Sequence, residues 1–126
     1  LSDRHYDLAV IGSGPAGERA AIQAAKLGKT VAVIERRGVV GGVCVHTGTL
    51  PSKTLRETSV YYSGLRQRSF YGFDLAMKKD VTVQELMHRK NIVVDNEVEV
   101  IRNQLGRNGI QGIPDVPNSS IAQCVF

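Results

Sequence analysis

The sequence predicts an α/β fold built on a parallel sheet with crossover helices. Three observations carry that expectation. The apolar run from Tyr6 to Ile11 stops at Gly12, glycines at 12, 14 and 17 lead into an Ala-rich stretch reaching Leu27, and a second apolar run spans Thr30 to Glu35. A short apolar run between turn signals suits a buried parallel strand. Strand, helix and strand in that order make one β-α-β unit, and such crossovers are right-handed almost without exception.

Each element has its own local signals. Pro15 fits the first turn of a helix, where its missing N–H costs nothing. Gly28 fits the helix stop, with Lys26 and Lys29 near the negative dipole end. Gly38 to Gly48 reads as a Gly-rich loop. Pro51 opens a second helix to about Gln67, and Ser69 to Asp80 reads as loop. Thr82-Val83-Gln84-Glu85 has the spacing of a capping box and starts a third helix. Val94, Val98, Ile101 and Leu105 line one face of it. Gly106 or Gly109 ends it, and Ile110 to Ile113 reads as a short third strand. From Pro114 the periodicity breaks at Pro114, Pro117, Asn118, Ser119 and Ser120. The expected division is therefore 1–113 as one folded unit and 114–126 as an irregular tail.

Composition excludes several classes. A chain of 126 residues, 42% hydrophobic, suits one small globular domain. Most of its 13 glycines lie between Gly12 and Gly48, which points to tight turns there. No apolar run approaches a membrane span, and the first residues do not form a secretory signal. Two cysteines, Cys44 and Cys124, make neither a disulfide framework nor a zinc site, so no metal is expected and the cytoplasm is the expected compartment. The net charge of +4 comes from short basic pairs such as Arg36-Arg37 and Lys78-Lys79. None is interleaved with aromatics, so these read as solvated surface and not as a nucleic-acid interface. A weak attraction for anionic cofactors is the second reading.

The glycines form a dinucleotide fingerprint. Gly12 makes the tight turn, Gly14 lets the backbone approach a pyrophosphate, and Gly17 lets the helix pack closely on the strand. The helix N-terminus then offers free N–H groups and a positive dipole end to phosphate. Glu35 closes the second strand 18 residues after Gly17, where an acid takes both ribose hydroxyls of an adenosine. A carboxylate there repels a 2′-phosphate, so this site suits FAD or NAD and not NADP.

The segment Gly41-Gly42-Val43-Cys44-Val45-His46-Thr47-Gly48-Thr49-Leu50-Pro51-Ser52-Lys53 resembles the active-site stretch of the FAD-dependent pyridine nucleotide–disulfide oxidoreductases. The usual pattern there has two cysteines four residues apart, forming a redox disulfide beside the flavin. Cys44 is present, but Thr49 stands where the second cysteine would be, so disulfide exchange through this pair is ruled out. With Thr54-Leu55-Arg56-Glu57 following, and with Gly12 to Glu18 and Phe70-Tyr71-Gly72, the chain looks like the soluble (Si-specific) pyridine nucleotide transhydrogenases. The resemblance runs from about Tyr6 to about Ile113. It implies the N-terminal part of a Rossmann-type FAD-binding domain, incomplete as it stands.

It also implies hydride transfer between NADPH and NAD through FAD, with NAD(H) and NADP(H) as substrates of a homo-oligomeric parent. Residue by residue, Gly12, Gly14, Pro15, Ala16 and Gly17 would cradle the FAD pyrophosphate. Glu35 and Arg36 would lie at the adenosine ribose. Gly41, Gly42 and Cys44 would line the path to the flavin, and Lys53 would stand near the isoalloxazine. Plainer readings stand beside these: Cys44 as a small packing residue, Thr49 as the cap of the helix that Pro51 opens, His46 as a polar loop contact. There is no second glycine fingerprint, so the chain reads as an N-terminal fragment or truncated reading frame, inactive alone. Its first strand is expected to have a bare edge. Two rivals remain: a dihydrolipoamide dehydrogenase-like or mercuric reductase-like flavoprotein, which Thr49 disfavours, and a non-catalytic FAD-binding module.

Overall fold

A computed structural model describes residues 5–67 and 82–114. Seven elements follow in order: β1 (Leu8–Ile11), α1 (Pro15–Lys26), β2 (Val31–Glu35), α2 (Gly42–His46), α3 (Thr49–Gln67), α4 (Val83–Arg107) and β3 (Gln111–Pro114). The strands form one parallel sheet in the order β1-β2-β3. This is the α/β arrangement expected, and it corresponds to one flank of a Rossmann sheet. The expected loop over 69–80, the Phe70-Tyr71-Gly72 segment and residues 115–126 lie outside the described residues. Pro114 is the last residue of β3.

Two helices hand the chain to the two inner strands in the same way. After α1, Gly28 takes a φ of 75°, its N–H donates to the Ala25 carbonyl and the Lys29 N–H to the Ala24 carbonyl. After α4, Gly109 takes a φ of 66°, its N–H donates to the Gly106 carbonyl and the Ile110 N–H to the Leu105 carbonyl. Both are Schellman stops, which satisfy carbonyls that a helix end leaves unpaired. Ile110 and Leu105 are both buried, giving the apolar contact that accompanies such a stop.

The core sits where α1, α4 and β2 meet. Ala21 and Ile22 of α1, Val31 and Val33 of β2, Ile101 and Leu105 of α4, and Val45 and Ile110 form one buried cluster. Val94 and Val98 pack against it, so the α4 face read from spacing is the face that turns inward. Burying each Val, Ile or Leu contributes about 1.5–3 kcal/mol before entropy is counted. At the start of α4, Thr82 Oγ1 accepts from the Glu85 N–H at 3.3 Å and Glu85 returns to the Thr82 N–H at 2.7 Å, the expected capping box. On α3, the buried Thr54 and Thr58 hydroxyls donate to carbonyls four residues back, so neither burial leaves a polar atom unpaired.

Three expectations need correction. β1 is not a buried strand: three of its four residues are exposed, Ile11 by 61%. Among the described residues it pairs only with β2, which leaves the bare edge anticipated from the topology. The Gly38–Gly48 stretch is not all loop, because α2 forms within it. Thr49 does not cap a helix begun by Pro51; it is itself the first residue of α3. Pro51 then falls within the first turn, where an N–H has no helical partner to lose.

Candidate functional site

At the carboxyl end of the sheet the parallel register sets Ile11 opposite Ile34. The turn after β1 is thereby brought beside the end of β2. The Gly12 N–H donates to the Ile34 carbonyl at 2.8 Å, and Gly12 adopts a φ of 93°, which a side chain would strain. Gly17 has a different reason to be glycine. A Cβ there would run into the Gly12 carbonyl oxygen and reach Val10 at 3.1 Å. Beyond the Cα of Gly14, by contrast, there is open space. Gly14 is the N-cap of α1 and supplies no side-chain cap, so the first N–H groups of a twelve-residue helix have no capping side chain, at the positive end of its dipole.

Glu35 faces this turn. Its Oε2 accepts from the Ser13 N–H at 2.9 Å and from the Ser13 hydroxyl at 2.6 Å, while Oε1 accepts from the Arg37 N–H at 3.0 Å. Burial raises the Glu35 pKa. The Ser13 hydroxyl, the Arg37 and Ser13 N–H groups and the Arg37 charge together outweigh it, so the carboxyl is held below its ordinary value. An anion is therefore fixed beside the glycine turn. Arg36 is exposed and makes no printed contact with it; the neighbouring Arg37 does.

The second motif closes on the first. The Gly41 N–H donates to the Ser13 carbonyl at 3.0 Å, and a Cβ on Gly42 would stand 2.9 Å from the Gly14 Cα. Gly41 and Gly42 are thus packed onto the fingerprint turn. His46 Nε2 lies 2.8 Å from the Val40 carbonyl, an acceptor, so the ring donates there and pins the loop. Cys44, in α2, is a free thiol and half-buried. Thr49 and Lys53 are exposed on α3, as are Pro15 and Ala16 at the start of α1. Sequence reasoning passed over Ser13 and Gly41's bond to it. The usable signal was the in-register pairing of β1 and β2, which puts the residue after Gly12 next to Glu35.

Elsewhere the features are plainer. A concavity of about 550 Å³ lies at the opposite end of the sheet, lined in part by His5, Tyr6, Lys29, Thr30 and Asn108. It is remote from the carboxyl strand ends, where open α/β sheets bind their ligands. Among the described residues no group of three or more His, Cys, Asp or Glu is placed to hold a metal, and no helix is long and apolar enough to cross a membrane.

A glycine turn, a bare helix N-terminus and an ionised glutamate at the next strand end define a dinucleotide-binding α/β protein. Residues 7–105 match the family model of FAD dependent oxidoreductases, and the chain belongs to that family. More particularly, it is similar to the soluble pyridine nucleotide transhydrogenase of Mycobacterium bovis (strain BCG / Pasteur 1173P2): 53% identical over 107 residues, covering 85% of this chain and 23% of that protein. A protein of the same name from Marinomonas sp. (strain MWYL1) is 40% identical over 110 residues, 87% of this chain and 24% of that one. A third, from Chromohalobacter salexigens, is 39% identical over 110 residues. The transhydrogenase resemblance read from the motifs is thus the one these relatives carry. The chain spans about a quarter of the length of the curated relatives it matches.

Proposed function

We propose that this chain is the FAD-binding portion of a flavoprotein that transfers hydride between NADPH and NAD. The observation that carries the reading is Glu35, held ionised against the fingerprint turn by Ser13. A fixed carboxylate there accepts ribose hydroxyls and repels a 2′-phosphate. Gly14, with open space beyond it, admits a pyrophosphate to the N–H groups of α1, and Gly12, Pro15, Ala16 and Gly17 shape that cradle. Arg36 adds positive charge at the ribose end. Gly41, Gly42 and Cys44 continue from the turn toward the flavin end, and Lys53 supplies a cation there. Bound FAD would supply the two-electron chemistry, and the residues here bind and orient it.

Residues 1–113 form the FAD-binding unit in this reading, and 114–126 a tail. The parent acts in the cytoplasm as a homo-oligomer on NAD(H) and NADP(H), and contacts neither nucleic acid nor membrane. Thr49 in place of a second cysteine supports hydride relay over disulfide chemistry. The full-length protein bearing this chain is expected to purify yellow and to reduce thio-NAD with NADPH. Lipoamide-dependent NADH formation by the same preparation would overturn the assignment. The chain on its own, with β1 bare along one edge, is expected to bind FAD weakly and not to turn over NADPH. Stoichiometric flavin on the isolated chain would contradict that.

A further inference from the structure

Lone-pair bookkeeping at Glu35 leads beyond the fingerprint. A carboxylate oxygen has two lone pairs to offer. Oε2 uses both, one on the Ser13 N–H and one on the Ser13 hydroxyl; Oε1 uses one, on the Arg37 N–H. An adenosine ribose brings two hydroxyl donors, and only one acceptor place is left. One protein donor must yield. The two N–H donors belong to the backbone and cannot turn away without moving the chain. The Ser13 hydroxyl can, by rotation about one bond.

We propose that Ser13 is a positioning residue whose hydroxyl stands in for a ribose hydroxyl, holding Glu35 aimed at the nucleotide cradle until the second ribose hydroxyl displaces it. This rests on the reading of Glu35 as the ribose acceptor. Ser13 is fully buried, and its carbonyl is held by the Gly41 N–H, so its backbone is fixed from both sides. The 2.6 Å hydroxyl bond is short, as expected for a charge-assisted contact. The same hydroxyl is the largest of the effects that keep the Glu35 carboxyl below its ordinary value. Few other ionisable groups bear on it. β1 and β3 carry none, α1 carries Glu18, Arg19 and Lys26, and the nearest charge acting on it is Arg37.

The sign of the effect follows. With the hydroxyl removed, Glu35 protonates at a higher pH, so nucleotide binding is lost earlier on acidification. The test is FAD titration of the full-length deflavo-protein, followed by quenching of flavin fluorescence, with Ser13→Ala, Ser13→Gly, Glu35→Gln and the Ser13→Ala/Glu35→Gln double variant. Both Ser13 variants are expected to lose roughly tenfold more affinity at about pH 5 than at about pH 8. In the Glu35→Gln background, Ser13→Ala is expected to change affinity by less than about twofold. Equal losses at both pH values, or equal losses in both backgrounds, would show that Ser13 acts as packing and overturn the proposal alone. Glu35→Gln binding FAD like the parent would overturn the ribose reading as well.

Discussion

Two carboxylates at opposite ends of the β1–β2 pair make almost the same bonds. At the amino end, Asp7 Oδ2 accepts from the Thr30 N–H at 2.7 Å and from the Thr30 hydroxyl at 2.8 Å. At the carboxyl end, Glu35 Oε2 accepts from the N–H and hydroxyl of Ser13. Both acids are held below their ordinary pKa, Asp7 first by the Thr30 N–H and then by its hydroxyl. The difference lies in what surrounds them. The Asp7 N–H also donates to the Thr30 hydroxyl at 3.0 Å, which closes a reciprocal clip between two strand starts in open solvent. Glu35 receives no such return bond; its partner lies in a turn that also caps a helix and carries the second motif. The same acid–hydroxyl pair is a strand clip in one place and a ligand-facing group in the other.

The largest effect expected comes from the turn itself. Gly17→Ala drives a methyl into the Gly12 carbonyl, a backbone atom that cannot step aside. The variant is expected to lose about 3 kcal/mol or more. A thermal unfolding midpoint within about 2 °C of the parent would contradict this. Glu35→Gln comes next. FAD affinity of the full-length protein should fall roughly tenfold to a hundredfold, the range for a lost hydrogen bond to a charged group, while the unfolding midpoint moves little. Flavin titration and calorimetry on one sample separate the two readouts.

Acid should divide the pair further. Each carboxyl sits below its unfolded value, so each contributes stability at neutral pH that is lost as pH falls through the folded value. Only the loss at Glu35 should carry FAD affinity with it. Asp7→Asn is therefore expected to flatten the acid limb of unfolding and leave the acid limb of FAD binding in place. Its effect at neutral pH is the smallest, a midpoint shift under about 4 °C. If Asp7→Asn weakened FAD binding as much as Glu35→Gln, the contrast between the two ends would fail.

Much of this was legible because the signals are local. Gly12, Gly14, Gly17 and Glu35 announce a turn, a helix start and a strand end within a few residues of each other, and the structure brings them together. Thr82 and Glu85 state their cap in four letters. What escaped is not local. Ser13 is an unspecified position in the fingerprint, and its bond to Glu35 spans 22 residues. α2 was hidden because Gly41 and Gly42 read as loop, although one serves as N-cap at a φ of 107° and the other as the first helical residue. The exposure of β1 depends on which strands stand beside it, and an apolar hexamer carries no record of that.

The paired stops at Gly28 and Gly109 also govern where the chain can change length. Each leaves only one or two residues between a helix end and the first paired residue of a strand. Side chains alternate faces along a strand, so one inserted residue there would turn Val31 and Val33 out of the core. Indels in relatives are therefore expected to avoid the Gly28–Val31 and Gly109–Gln111 joints and to gather where α3 passes to α4. Loop-length libraries made at the three sites would rank them in that order of intolerance.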